Sequence, residues 1–291
     1  MGNSAYSSTD RLSRSVDMGY QTKSAEQLFT SRNLDIKMNP KGVMLREARD
    51  SDTHPNSVPI ILALDVTGSM GRIPHYLVSD GLPNIMSKIM EVGIADPQIL
   101  FMGIGDHKVD RAPLQISQFE SGDAELDKWL TETYLEGGGG GNHGESYFLP
   151  WYFAANRTVI DSFEKRGKKG LLFTVGDEPL HMDIGSQSMN AIMGGEENGT
   201  LYAIDMLEDA RKLYDVYHLH IRQGQFGTRQ SVMDGWKEIM GDNLVIVKDA
   251  EDVARIIPEI VAKHFADSEA ILNTSVFVPV AENKQEVVNL L

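Results

Sequence analysis

The 291-residue chain contains no cysteine. Disulfide scaffolds, thiolate zinc sites and cysteine nucleophiles are therefore excluded. Basic residues are scarce: 27 Lys and Arg stand against 42 Asp and Glu, a formal net charge of −15. So acidic a chain argues against non-specific binding to nucleic acid or to an anionic membrane, both of which need a basic face. It suits a protein that attracts cations or basic partners. No apolar run is long enough to cross a bilayer, and the first residues, Met1 to Ser8, offer no apolar leader, so a cytoplasmic location is expected. Gly2 would suit myristoylation, but Tyr6 stands where that motif needs Ser or Thr.

What the chain does have is one organising stretch, Val58 to Gly71. Seven nearly continuous apolar residues stop at Asp65, and two hydroxyls (Thr67, Ser69) and two glycines (Gly68, Gly71) follow. A short apolar run of this kind reads as a buried strand feeding a tight turn. From Pro74, apolar residues at Leu77, Leu82, Ile85, Ile89 and Val92 step by about three and four, the period of a helix. In an open α/β sheet, such a strand-to-helix corner is where ligands bind. Asp65, Thr67 and Ser69 are spaced by two, so a looping backbone can aim three oxygens at one point. One carboxylate and two hydroxyls suit a hard cation, Mg²⁺ or Mn²⁺. The plainer alternative is that Asp65 and Ser69 only cap the following helix.

Further strands are expected at Gln98 to Ile104, Ala112 to Phe119, Gly170 to Val175, Val216 to Ile221 and Asn243 to Val247. The second and third are joined by a short polar link, which implies an antiparallel edge strand. Helices are expected from Leu126 to Tyr134, along a stripe of Phe148, Tyr152, Ala155, Val159 and Phe163, from Leu201 to Tyr214, and from Val253 to Phe265 with a kink at Pro258. Strands alternating with helices predict an α/β fold: a doubly wound, mostly parallel six-stranded sheet with helices on both faces. The expected domain covers 57–266. Residues 1–56 read as an extension that wraps the domain or docks on a partner, partly disordered when alone, with a short helix near Ser24 to Arg32 and a short strand at Val43 to Leu45. Residues 267–291 read as a tail with one strand-like run, Thr274 to Val280. The excursion 181–199, rich in glycine, serine and asparagine, could cover the site.

Five glycines, Gly137 to Gly141, precede Asn142, His143, Gly144, Glu145 and Ser146 and then the helical stripe. Bare backbone at a helix start can approach a ligand closely. No Gly-Lys-Ser/Thr follows, so this is no Walker loop.

Asp-x-Thr-x-Ser at the end of a buried strand resembles the metal-ion-dependent adhesion site of von Willebrand factor A domains, which usually carry Ser where this chain has Thr67. The resemblance spans about residues 57 to 266. It implies that the ion is held by Asp65, Thr67 and Ser69 and by Asp177 from the loop after the fourth strand. The threonine that such domains supply from a second, glycine-containing loop has no counterpart here; Asn142 or Glu145 would take that place, or both would only cap the helix that follows. Asp106, His107, His143, Glu178 and His181 fall at strand ends on the same edge, although imidazole suits Mg²⁺ poorly.

The resemblance also implies a function: a protein partner's Asp or Glu replaces water on the cation, as in an adaptor working beside a MoxR-type AAA+ ATPase. Rival expectations are a metal-dependent hydrolase with Glu178 or His181 as base, and a structural protein such as a virion component. Gly68-Ser69-Met70-Gly71 is not a nucleophile elbow, since Thr67 stands where its first glycine would be.

Overall fold

The computed structural model describes residues 6–20, 22–71, 73–135 and 144–265. Asn142, His143, the five glycines and the tail 267–291 lie outside them. The sheet has six strands: β1 (Val58–Asp65), β2 (Pro97–Ile104), β3 (Leu114–Ile116), β4 (Gly170–Gly176), β5 (Tyr214–Ile221) and β6 (Leu244–Val247). They lie in the order 6-5-4-1-2-3, parallel except for β3, which runs antiparallel to β2 with Met102 opposite Ile116. β1 is central, paired along its length with β2 (Asp65 opposite Ile104) and with β4 (Leu64 opposite Val175). Every residue of β1 is buried, as its unbroken apolar sequence requires of a strand covered on both faces.

Successive residues of β1 enter different cores. Ile60, Leu62 and Leu64 join a cluster with Leu82, Ile85 and Ile89 of α2 (Leu82–Glu91) and Val253, Ile257 and Val261 of the helix Ala250–Phe265. Ile61 and Ala63 join another, with Phe148 and Trp151 of the helix Phe148–Arg157, Leu207 and Ala210 of Ala203–Leu213, and Trp236 of Gln230–Met240. The remaining long helices are α1 (Ser8–Met18) and α3 (Asp123–Glu132); the four just described become, in chain order, α4 to α7.

Several sequence expectations need correction. The stripe from Phe148 to Phe163 is not one helix. α4 ends at Arg157, and Thr158–Ile160, three β-branched residues in a row, form a short strand parallel to Arg46–Ala48 before a second helix, Asp161–Arg166. The strand of the N-terminal region is therefore Arg46–Ala48, one step beyond Val43 to Leu45. The helical stretch after the first turn is composite: Ile73–Tyr76, a π turn at Leu77–Gly81, then α2, with Pro83, which has no N–H to donate, placed where the winding changes from π to α. The excursion 181–199 is ordered, with a hairpin of Asp183–Gly185 and Thr200–Tyr202 enclosing the helix Ser186–Met193. α6 (Gln230–Met240) was not anticipated at all.

Residues 6–56 pack on the domain. Arg11 of α1 is 2% exposed and forms an ion pair with Asp127 of α3, and it lies 3.5 Å from Asp123; Arg14 bonds Asp123 at 2.8 Å, and Tyr20 donates to the same Asp127. Arg157 donates to the carbonyls of Pro40 and Val43 at 3.0 and 3.1 Å. Arg49 pairs with Asp161, and Arg166 with Asp50. Among the described residues no helix is long and apolar enough to cross a membrane.

Candidate metal centre

The parallel strands bring the ends of β1, β2, β4 and β5 to one edge of the sheet. The end of β3 is not there. Because β3 is antiparallel, its chain leaves at the opposite end, where Glu120 bridges Ile99, and α3 then carries the chain back. The segment that returns, Gly144 to Tyr147, is stitched to its neighbours by backbone bonds: Ser146 N–H to Gly105 O (3.2 Å), Glu145 N–H to Pro179 O (2.9 Å) and His181 N–H to Glu145 O (3.1 Å).

Asp65, Thr67, Ser69 and Asp177 meet at this edge. Thr67 donates through its backbone N–H (2.9 Å) and its hydroxyl (2.6 Å) to Asp65 Oδ1; the Thr67 and Ser69 hydroxyl oxygens are 3.1 Å apart; and Ser69 donates to Asp177 Oδ1 at 2.8 Å. Both carboxylates are fully buried. The remaining carboxylate oxygens are also bonded: Tyr147 donates its hydroxyl to Asp65 Oδ2 (3.1 Å), and Phe226 its N–H to Asp177 Oδ2 (2.7 Å). Gln225 N–H reaches the Ser69 carbonyl at 3.3 Å, so the loop after β5 is tied to both halves of the site.

Two glycines are required by close approach. A Cβ on Gly176 would lie 1.9 Å from the Tyr147 hydroxyl, and one on Gly224 would lie 2.3 Å from Asp177 Cγ. Tyr147 is itself clamped, its ring edge-on to His218 and to Trp236 at 5.1 Å each. Trp236 stacks on His218 at 3.5 Å and donates its indole N–H to the Glu178 carbonyl at 2.9 Å.

Burial, and then the neighbouring Asp177, push the pKa of Asp65 up to about 7, well above the usual carboxylate range. Glu145, 5% exposed, is pushed up by burial and by Asp65, Asp110, Glu178 and Asp106, and its Oε2 has no hydrogen-bond partner. Glu178 is raised in the same way, by burial and then by Asp177. So many carboxylates in a water-poor corner repel one another, and a cation relieves that repulsion.

Asp106, His107 and His181 gather beside this centre. His181 Nε2 lies 3.0 Å from Asp106 Oδ1, and its Nδ1 lies 3.1 Å from the Lys108 ammonium; His107 Nδ1 lies 2.8 Å from Ser146 Oγ. Sequence reasoning placed Asp106, His107, Glu178 and His181 at this edge but missed Tyr147, Trp236 and the loop Gln223 to Gly227. For the loop a signal existed, since Gly224 and Gly227 come within six residues of the end of a strand, Tyr214–Ile221.

The paired histidines behind the site give a pH prediction. Burial and then His220 depress His218 well below the ordinary value, and burial depresses His220. Above about pH 6.5 these imidazoles are neutral in folded and unfolded chains alike, and their contribution is fully present. Below it the unfolded chain takes up protons that the folded chain refuses, so each group costs up to about 1.4 kcal/mol of stability per pH unit. His218→Phe keeps a ring against Trp236 and removes one such group. Urea titrations between about pH 7 and about pH 5 should show the variant losing stability less steeply than wild type by about one proton's worth. Equal slopes would contradict the assignment.

No protein-family model and no curated protein matches the sequence. Among solved structures, the chain is similar to the pilus adhesin SpaC from Lactobacillus rhamnosus GG in its open conformation, with a TM-score of 0.48 and 12% identity over 76% of this chain and 31% of the adhesin. It is also similar to proximal thread matrix protein 1 from the mussel byssus, with a TM-score of 0.44 and 10% identity over 70% of this chain and 47% of that one. The chain thus spans less than half the length of either.

Proposed function

We propose that the chain is a von Willebrand factor A-type domain, doubly wound with helices on both faces, that holds Mg²⁺ or Mn²⁺ and through it binds a carboxylate of a protein partner. The observation that carries this reading is the unbroken run of oxygens Asp65, Thr67, Ser69, Asp177. In an octahedral complex with bonds of about 2.0–2.1 Å, neighbouring ligand oxygens are about 2.9 Å apart. The contacts of 2.6, 3.1 and 2.8 Å along the run have that length, so the donors fit such an ion in both chemistry and spacing. The strand order and the alternation of β1 residues between two cores support the doubly wound arrangement.

When bound, the cation supplies a Lewis-acidic centre that exchanges water for an outside carboxylate. The chain's own residues do the rest. Asp65 and Asp177 offset the ion's charge, and the two hydroxyls complete its protein side without adding charge. Tyr147 and the Phe226 N–H hold the carboxylates in place. Glu145, with one oxygen unpartnered, is assigned to a water of the ion's shell. His181 is engaged at both ring nitrogens, by Lys108 and Asp106, which favours binding over hydrolysis. An adaptor role beside a AAA+ motor is the form of partnership we infer from the resemblance.

Pull-down from a lysate with wild type in Mg²⁺ should retain a partner that EDTA or Asp65→Ala releases. Mg²⁺ at about a hundred times its dissociation constant should stabilise wild type by about 2.7 kcal/mol and leave Ser69→Ala much less affected. No Mg²⁺-dependent shift in wild type would overturn the reading.

A further inference from the structure

We propose that Asp106, His107 and His181 form a second cation site, distinct from the oxygen run and suited to a borderline transition ion such as Zn²⁺. Their ligand atoms all lie within 4.8 Å of one another, and the side chains are 2, 7 and 8% exposed. Asp106 Oδ1 is 3.0 Å from His181 Nε2 and 3.9 Å from His107 Nδ1. Donors around tetrahedral zinc, with bonds of about 2.0–2.2 Å, are about 3.3 Å apart, a separation that these two distances bracket. Two imidazoles and a carboxylate are the donor set that zinc prefers and magnesium does not.

The ligands are held in place before any ion arrives. Asp106 and His107 follow β2 directly, and His181 comes from the loop after β4. Both loops are stitched to the Gly144–Tyr147 segment by the backbone bonds given above. The His107 N–H also donates to Ser146 Oγ at 2.8 Å, which fixes the approach of the imidazole. Three protein ligands leave a fourth position for water or an outside group.

Without an ion, the proton bookkeeping is already visible. Lys108 Nζ, on an exposed residue, donates to His181 Nδ1, so the ring proton sits on Nε2 and points at Asp106. For an ion to bind, Lys108 swings into solvent and the ring proton moves to Nδ1, which frees Nε2; the Ser146 hydroxyl turns away from His107 Nδ1. Lys108 is therefore a built-in competitor of the metal.

The test is a Zn²⁺ titration of the metal-stripped full chain in excess Mg²⁺, followed by calorimetry, with Co²⁺ absorption as a report on nitrogen ligation. Wild type should bind one equivalent. His107→Ala and His181→Ala should each weaken binding more than about a hundredfold, since even a ligand's outer partner is worth about ten- to a hundredfold. Lys108→Met should tighten it, and Asp65→Ala should leave it in place. Lys108→Met removes no ligand, so it tests the site even if a histidine variant misfolds. No binding by wild type, binding lost with Asp65→Ala alone, or unchanged affinity in Lys108→Met and both histidine variants would each overturn the proposal.

Discussion

Trp236→Ala should cost about 3–5 kcal/mol of stability, the range for removing a fully buried large aromatic side chain. The residue is 1% exposed, stacked on His218 and edge-on to Tyr147 and Trp151, so no neighbour can move into the space without giving up its own packing. Its loss also leaves the Glu178 carbonyl without its indole donor. Trp236→Phe separates the two effects: it keeps most of the packing and should cost about 1–3 kcal/mol, mostly the price of that unsatisfied carbonyl. Urea unfolding of the three proteins reads this directly. Because Glu178 follows Asp177 and its N–H reaches Tyr147, the alanine variant should also respond less to Mg²⁺ than wild type does. A cost below about 1 kcal/mol would mean that the aromatic stack does not hold the site's floor.

Arg11→Ala should be of similar size, about 3–5 kcal/mol, for a different reason. Removing one partner of a buried ion pair strands the other, and here two carboxylates, Asp123 and Asp127, lose their shared guanidinium. Arg14 and the Tyr20 hydroxyl remain as partial partners. Replacing all three charges together, with Arg11→Met, Asp123→Asn and Asp127→Asn, should recover much of the loss, because the cost lies in the unpaired charge rather than in the missing contact. Chemical denaturation of the single and triple variants checks both statements. A single variant as stable as wild type would mean that α1 is not seated as described.

The sequence made the sheet legible because buried parallel strands are short, apolar and bounded by glycine or charge, as β1, β2 and β4 are. The turn after β1 was legible for the same reason: polar oxygens crowd where an apolar run stops. Less could be read where structure depends on partners distant in the chain. Thr158 to Ile160 look like the continuation of a helix until Arg46–Ala48 is known to lie alongside them. Arg11 is one charge among many in a polar region, and nothing local marks it as buried. Tyr147 stands just before a helical stripe with nothing local to mark it; its hydroxyl is bonded to Asp65 because Gly176 leaves room for it. α6 carries a signal of its own, Val232, Trp236 and Met240 stepping by four onto one buried face, which the sequence reading passed over.

The pairing of Arg46–Ala48 with Thr158–Ile160, together with the seat of Arg11, bears on where this molecule can be cut. A fragment starting at Val58 would contain every strand of the six-stranded sheet and every oxygen of the run from Asp65 to Asp177, yet it would not be a smaller edition of the same protein. It would open Asp123 and Asp127 to water, deprive Arg157 of its two carbonyl acceptors, and leave Thr158–Ile160 a strand with no companion.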